Sequence, residues 1–133
     1  MAYETNAKAK RPVIMVVDDQ ASVCREVTEH LKRDCDVSAF KSGADALKHL
    51  RNYTPDLIIL DYYMPEMTGF ETLMSIRGNR STNKTPVVFL TTEINERMKH
   101  EMLERGAQGY LTKPVDSAQM RDCIKEYLHL EGK

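Results

Sequence analysis

The chain has 133 residues, with 19 Lys plus Arg against 20 Asp plus Glu and a formal net charge of -1. A charge this close to zero gives no electrostatic footing for nucleic acid or an anionic membrane surface, and no apolar run reaches the length of a membrane span. The length suits a single domain with one proper core, and 41% hydrophobic residues exclude disorder as the main state.

Cysteine usage narrows the setting. Cys24, Cys35 and Cys123 are odd in number, widely spaced and without a CxxC pair. This argues against a disulfide scaffold or zinc site and for a reducing, cytoplasmic environment, with the thiols as small apolar fillers. Met1 to Pro12 holds no apolar segment that would read as a signal peptide. His30, His49, His100 and His129 share no ligand spacing and read as helix-surface residues.

Residues 1–12 read as a polar tail, 13–130 as the domain and 131–133 as a second short tail. Val13 to Val17 is a continuous apolar, β-branched run, the pattern of a strand covered on both faces. It stops at Asp18-Asp19, after which Val23, Val27 and Leu31 stripe a helix. Asp36 to Phe40 is a weaker strand, and Ser42-Gly43 opens a helix carrying Ala46, Leu47 and Leu50 inward. Leu57 to Leu60 is a third strand, ending at Asp61. A loop with Pro65 and Gly69 leads to a helix bearing Phe70, Leu73, Met74 and Ile76. Val87 to Leu90 forms the fourth strand and ends at Thr91-Thr92. Ile94, Met98 and Met102 stripe a helix expected over 94–105, which Gly106 stops. Gln108 to Thr112 is a short fifth strand before Lys113-Pro114, and Met120, Ile124 and Leu128 stripe the last helix. Strands alternating with helices imply right-handed crossovers and a doubly covered parallel sheet.

Polar residues sit at the carboxyl ends of four strands: Asp18-Asp19, Asp61, Thr91 and Lys113. In an open parallel sheet these ends share the edge where ligands bind. Three carboxylates in one crevice repel, and a divalent cation relieves the repulsion; oxygen ligands with room for water favour Mg2+. Lys113 and Thr91 supply an ammonium and a hydroxyl suited to phosphoryl oxygens. Phosphoryl transfer to a carboxylate needs positioning and charge neutralisation more than acid–base groups. Taken singly, each residue also has an ordinary reading: Asp18 as a helix N-cap, Thr91 as a structural cap, Tyr110 as packing.

Together, the acidic pair in VVDDQ, the aspartate in LIILDYYMPEMTGFE, the hydroxyl in VVFLTT and the KP of GYLTKPV resemble the receiver domain of two-component response regulators, in its single-domain form. The resemblance covers about residues 12–130. It implies a flavodoxin-like (βα)5 fold, α/β and doubly wound, with five parallel strands in the order 2-1-3-4-5. It implies Asp61 as the phosphoacceptor, with Mg2+ ligated by Asp19, Asp61 and the main-chain carbonyl of Tyr63, and by Asp18 mostly through water. Lys113 would pair with the phosphoryl group, Thr91 would swing toward it and Tyr110 would turn inward as a coupled switch. The Lys113–Pro114 bond is a candidate for cis. Tyr63 and Glu93 occupy two positions that vary in the family and would tune the lifetime of the aspartyl phosphate.

The implied partners are a histidine kinase or histidine phosphotransfer protein as donor and a downstream protein as target, with no nucleic acid and no membrane insertion. With no further domain after residue 133, readout is expected through protein binding at the face of helix 4, strand 5 and helix 5. A chemotaxis-type switch, a relay intermediate passing the group to another histidine and a phosphate sink all fit this pattern, and none sets an oligomeric state. A Mg2+-dependent phosphatase with an aspartate nucleophile would place a second acid where Tyr63 stands. A flavin module would need a hydroxyl- and Gly-rich loop where Asp18-Asp19-Gln20 stands. The chain is therefore expected to catalyse only its own phosphorylation and dephosphorylation.

Overall fold

A sheet with both faces covered needs apolar residues at successive strand positions, because neighbouring side chains point to opposite faces. The computed structural model describes residues 11–128 and follows this rule closely. Its elements are β1 (Val13–Val17), α1 (Ala21–Leu31), β2 (Asp36–Phe40), α2 (Gly43–Leu50), β3 (Leu57–Asp61), α3 (Gly69–Arg77), β4 (Val87–Thr91), α4 (Glu96–Glu104), β5 (Gly109–Thr112) and α5 (Ser117–Leu128). Residues 1–10 of the expected tail, and residues 129–133, lie outside the described part.

The strands form one parallel sheet in the order β2-β1-β3-β4-β5. Central strands β3 and β4 are buried at every position, whereas β2, at the sheet edge, is exposed or half-buried throughout. That difference explains why β2 carries a polar sequence. Alternation divides the core in two. Ile14, Val16, Ile59 and Leu90 pack under α1 and α5, with Val27 and Ile124. Met15, Val17, Leu60 and Phe89 pack under α2, α3 and α4, with Leu73 and Met102.

Helix starts follow local capping chemistry. Thr68 and Glu71 form a reciprocal capping box at α3. At α4 the Asn95 side chain accepts from the Met98 N–H at 2.9 Å, so the helix begins at Glu96 rather than at 94. Ile94 stays in the loop, half-buried against the core. Met74 is 52% exposed, because Thr72, Leu73 and Ile76 already fill the inner face of α3. The three cysteines are buried and free, and burial raises the Cys123 thiol to about 12.

Two arginines clasp the amino ends of the strands. Arg11 donates to the carbonyls of Lys32, Arg33 and Cys35 at the end of α1, and pairs with Asp36 at 2.9 Å. Arg77 donates to the carbonyls of Gly106 and Thr82 and to Gln108 Oε1, which itself accepts from the Val87 N–H at 2.7 Å. A cation at a helix end, spread over several carbonyls, satisfies acceptors the helix leaves free.

At Gly69 the neighbouring backbone leaves no room for a side chain. A Cβ there would fall on the Asp61 carbonyl oxygen and lie 2.9 Å from the Phe89 ring. The obstacle is backbone, which cannot rotate away. Gly69→Ala is therefore expected to lower unfolding stability by about 2 kcal/mol, the cost of overpacking a filled site, read as a lower urea midpoint with an unchanged slope.

Candidate functional site

The sheet order itself creates the crevice. From β1 the chain turns to β2 on one side, and from β3 it turns to β4 on the other, so the loops after β1 and β3 separate where the strand order reverses. Asp18 and Asp19 follow β1, Asp61 ends β3, Thr91 ends β4 and Lys113 follows β5. Parallel register thus delivers residues from four strands to one edge.

Carboxylate oxygens of Asp18, Asp19 and Asp61 all lie within 4.8 Å of one another. Asp18 is fully buried, Asp61 is 3% exposed and Asp19 is exposed to solvent. Lys113 reaches between the two buried acids, its Nζ 2.9 Å from Asp18 Oδ2 and 3.2 Å from Asp61 Oδ1. Asp18 Oδ1 accepts the Gln20 N–H at 2.9 Å, but Oδ2 has no aligned hydrogen bond and is met by the ammonium alone. Asp61 Oδ1 also receives a long contact from the Tyr63 N–H at 3.4 Å. Asp19, Gln20, Asp61, Tyr63, Thr92 and Lys113 line a cavity of about 220 Å³.

Charge in this pocket is unbalanced. Burial and the neighbouring Asp18 charge push the Asp61 carboxyl up to about 6, against the opposing pull of Lys113. Burial by itself would lower the Lys113 ammonium, but the Asp18 and Asp61 carboxylates outweigh it and hold the group above the usual lysine range. Three clustered carboxylates, one of them with a buried oxygen lacking an aligned donor, fit a hard divalent cation with oxygen ligands.

The remaining expected residues stand nearby with other partners. Thr91 is fully buried at the end of β4, and its hydroxyl donates to the Glu93 carbonyl at 2.8 Å. Tyr110 is half-buried on β5 against the core under α4, with Lys99 Nζ 5.8 Å from its ring centre. Tyr63 is 56% exposed at the cavity wall, whereas Glu93 is exposed and outside that lining. The Lys113–Pro114 bond is cis. Gln20 and Thr92 also line the cavity; Gln20 is not among the residues expected at the site, because a lone amide carries no pattern of its own. Its one sequence signal is adjacency to Asp19.

Metal-free protein carries a cost that depends on pH. The Asp61 carboxyl holds its proton more tightly folded than unfolded, so protonation favours the fold below about pH 4 and that advantage is lost as pH rises through about 6. In chelator at pH 7.5, Asp61→Asn is expected to be more stable than the parent by on the order of 2 kcal/mol. Thermal unfolding followed down to pH 4 should show the gap closing; a constant gap would assign it to something other than this carboxyl.

Known proteins resemble this chain in sequence and fold. The family model described as the response regulator receiver domain matches residues 14–125. A probable cyclic di-GMP phosphodiesterase of Vibrio cholerae is 34% identical over 120 residues, covering 90% of this chain but only 27% of that protein. Protein PilH of Pseudomonas aeruginosa is 31% identical over 116 residues, covering 86% of this chain and 96% of PilH. Among solved structures, chemotaxis protein CheY4 of Vibrio cholerae superposes with a TM-score of 0.85 at 30% identity, over 89% of this chain and 99% of CheY4. The expected five-stranded order is the one observed. With the family model spanning nearly all the described residues, and Asp18-Asp19, Asp61, Thr91 and Lys113 each at or just after a strand end, the chain belongs to the response regulator receiver domain family.

Proposed function

We propose that Asp61 accepts a phosphoryl group from a phosphohistidine on a histidine kinase or histidine phosphotransfer protein, and that the chain then signals by protein contact at its α4–β5–α5 face. The observation that carries this reading is the convergence of Asp18, Asp19 and Lys113 on an almost fully buried Asp61. Burial and the Asp18 charge raise this carboxyl to about 6, and the Lys113 ammonium already lies against it.

In the transfer, an Asp61 carboxylate oxygen forms the bond to phosphorus while the bond from phosphorus to the donor imidazole nitrogen breaks. The residues suited to hold Mg2+ are Asp18, Asp19, Asp61 and the Tyr63 carbonyl; the ion would neutralise charge on the acceptor and on the phosphoryl oxygens. Lys113 already lies 3.2 Å from the acceptor oxygen and is placed to pair with the incoming group. Thr91 would exchange its bond to the Glu93 carbonyl for one to a phosphoryl oxygen, and in doing so release the start of the β4–α4 loop. Tyr110, packed beneath α4 beside Lys99, would follow that loop and alter the face presented to a target. Among the described residues no helix is long and apolar enough to cross a membrane, and three free buried thiols suit the reducing cytoplasm in which we place the chain.

Intact-mass measurement with acetyl phosphate tests the acceptor. A gain of one phosphoryl group is expected with Mg2+, and none in chelator or in Asp61→Asn. Uptake that persists in Asp61→Asn would move the acceptor elsewhere. Tyr63 and Glu93 are proposed to set the lifetime of the aspartyl phosphate, Tyr63 from the cavity wall. Exchanging both should change the dephosphorylation rate by more than about twofold, a factor equivalent to about 0.4 kcal/mol in the barrier. A smaller change removes them from that role.

A further inference from the structure

Gln20 lines the cavity around Asp61 with a side chain that caps no helix amide. It stands at the N-cap of α1, where a polar side chain ordinarily folds back onto the free amides of the first turn, yet it makes no such hydrogen bond. Its backbone is held in place, the N–H donating to Asp18 Oδ1 at 2.9 Å. The exposed side chain instead lines the 220 Å³ cavity that contains Asp61 and Lys113.

The charged groups of that cavity are committed to one another: Lys113 bridges Asp18 and Asp61, and Asp19 completes the acidic cluster. A carboxamide differs from all of them. It accepts through oxygen and donates through nitrogen at the same time, without charge. Those two contacts can hold a water molecule by its proton and a phosphoryl oxygen by its lone pair, leaving the water oxygen aimed at phosphorus. Glutamine amides orient attacking water in this way in enzymes that hydrolyse terminal phosphates. Its neutrality also matters, because a carboxylate in the same place would repel the phosphoryl oxygens. The neutral alternatives on the cavity wall suit the task less well. Thr92 and Tyr63 each carry a single hydroxyl, which must donate and accept at one atom.

We infer that Gln20 orients the water that hydrolyses phosphorylated Asp61, so that the chain limits the duration of its own signal; this rests on the acceptor role proposed above. In the step, the water oxygen bonds to phosphorus and the bond from phosphorus to the Asp61 oxygen breaks, its electron pair staying on the carboxylate. Both water hydrogens leave with inorganic phosphate. Gln20 gains and loses no proton, and acts by fixing the line of attack.

The full chain is phosphorylated with acetyl phosphate and Mg2+, desalted, and followed by intact mass as the phosphoryl group is lost. Gln20→Ala should slow that loss about tenfold, the effect of one oriented hydrogen bond worth about 1.4 kcal/mol, while uptake stays within about twofold of the parent. Cleavage by hydroxylamine supplies the second readout. Hydroxylamine attacks the acyl carbon rather than phosphorus, so its rate should be the same in Gln20→Ala and the parent, whereas a merely loosened site would change both rates. Unchanged or faster hydrolysis in Gln20→Ala overturns the assignment, as does a parallel change in the hydroxylamine rate. Normal uptake with unchanged hydrolysis would overturn the role of Gln20 alone; no uptake in the parent would overturn the acceptor role and this inference with it.

Discussion

Lys113 spans the crevice between Asp18 and Asp61, and much of the molecule serves to keep it there. Its ammonium is the one cation within reach of two buried carboxylates among the described residues of the cavity. Without it, fully buried Asp18 would hold a charge with one oxygen unmet, a state that costs several kcal/mol in a protein interior. The lysine arrives from the end of β5, at the far side of the sheet from β1. Reaching the acids therefore requires β3 and β4 to be in register between them, each buried along its full length. The same pairing explains why the Asp61 carboxyl is raised to about 6: a single ammonium is divided between two acids, so burial and repulsion are only partly offset.

The two ends of the sheet are built for opposite purposes. At the amino ends, Arg11 and Arg77 spread their donors over backbone carbonyls of the loops before β2, β4 and β5. Those contacts fix the frame. At the carboxyl ends, polar groups are held by few or long bonds: Asp61 Oδ1 by contacts at 3.2 and 3.4 Å, Thr91 by a loop carbonyl, Gln20 by its backbone only. Rearranging such groups demands little free energy, which is the property a two-state switch requires of its trigger. The exception is Gly69, where α3 abuts the carbonyl of Asp61, so a backbone shift at Asp61 is felt directly by the helix beside it.

Particular residues show how much was legible beforehand. Asp18, Asp19, Asp61, Thr91 and Lys113 were readable because each interrupts an apolar run at its carboxyl end, and parallel strands place those ends together. The strand order was likewise expected and found. Ile94 lies outside the helix it was expected to stripe, for a local reason. An apolar residue next to a helix stripe looks like part of it, and only the Asn95 cap of α4 excludes it. Gln20 was invisible as a site residue, since its significance lies in a side chain that does not cap and a cavity it shares with residues far along the chain.

Hydrophobic period and the position of each polar interruption are properties of short windows, and by themselves they determined the alternating βα architecture and the candidate set at the strand ends. What they could not contain is distance. Which acid lies beneath Lys113, that Thr91 faces the Glu93 carbonyl rather than Asp61, and that Asp18 is sealed while its neighbour Asp19 meets solvent were decided by the tertiary structure. The reason is physical: charge interaction and desolvation depend on separation and burial in space, and both are set only when strands distant in the chain pair and the helices close over them.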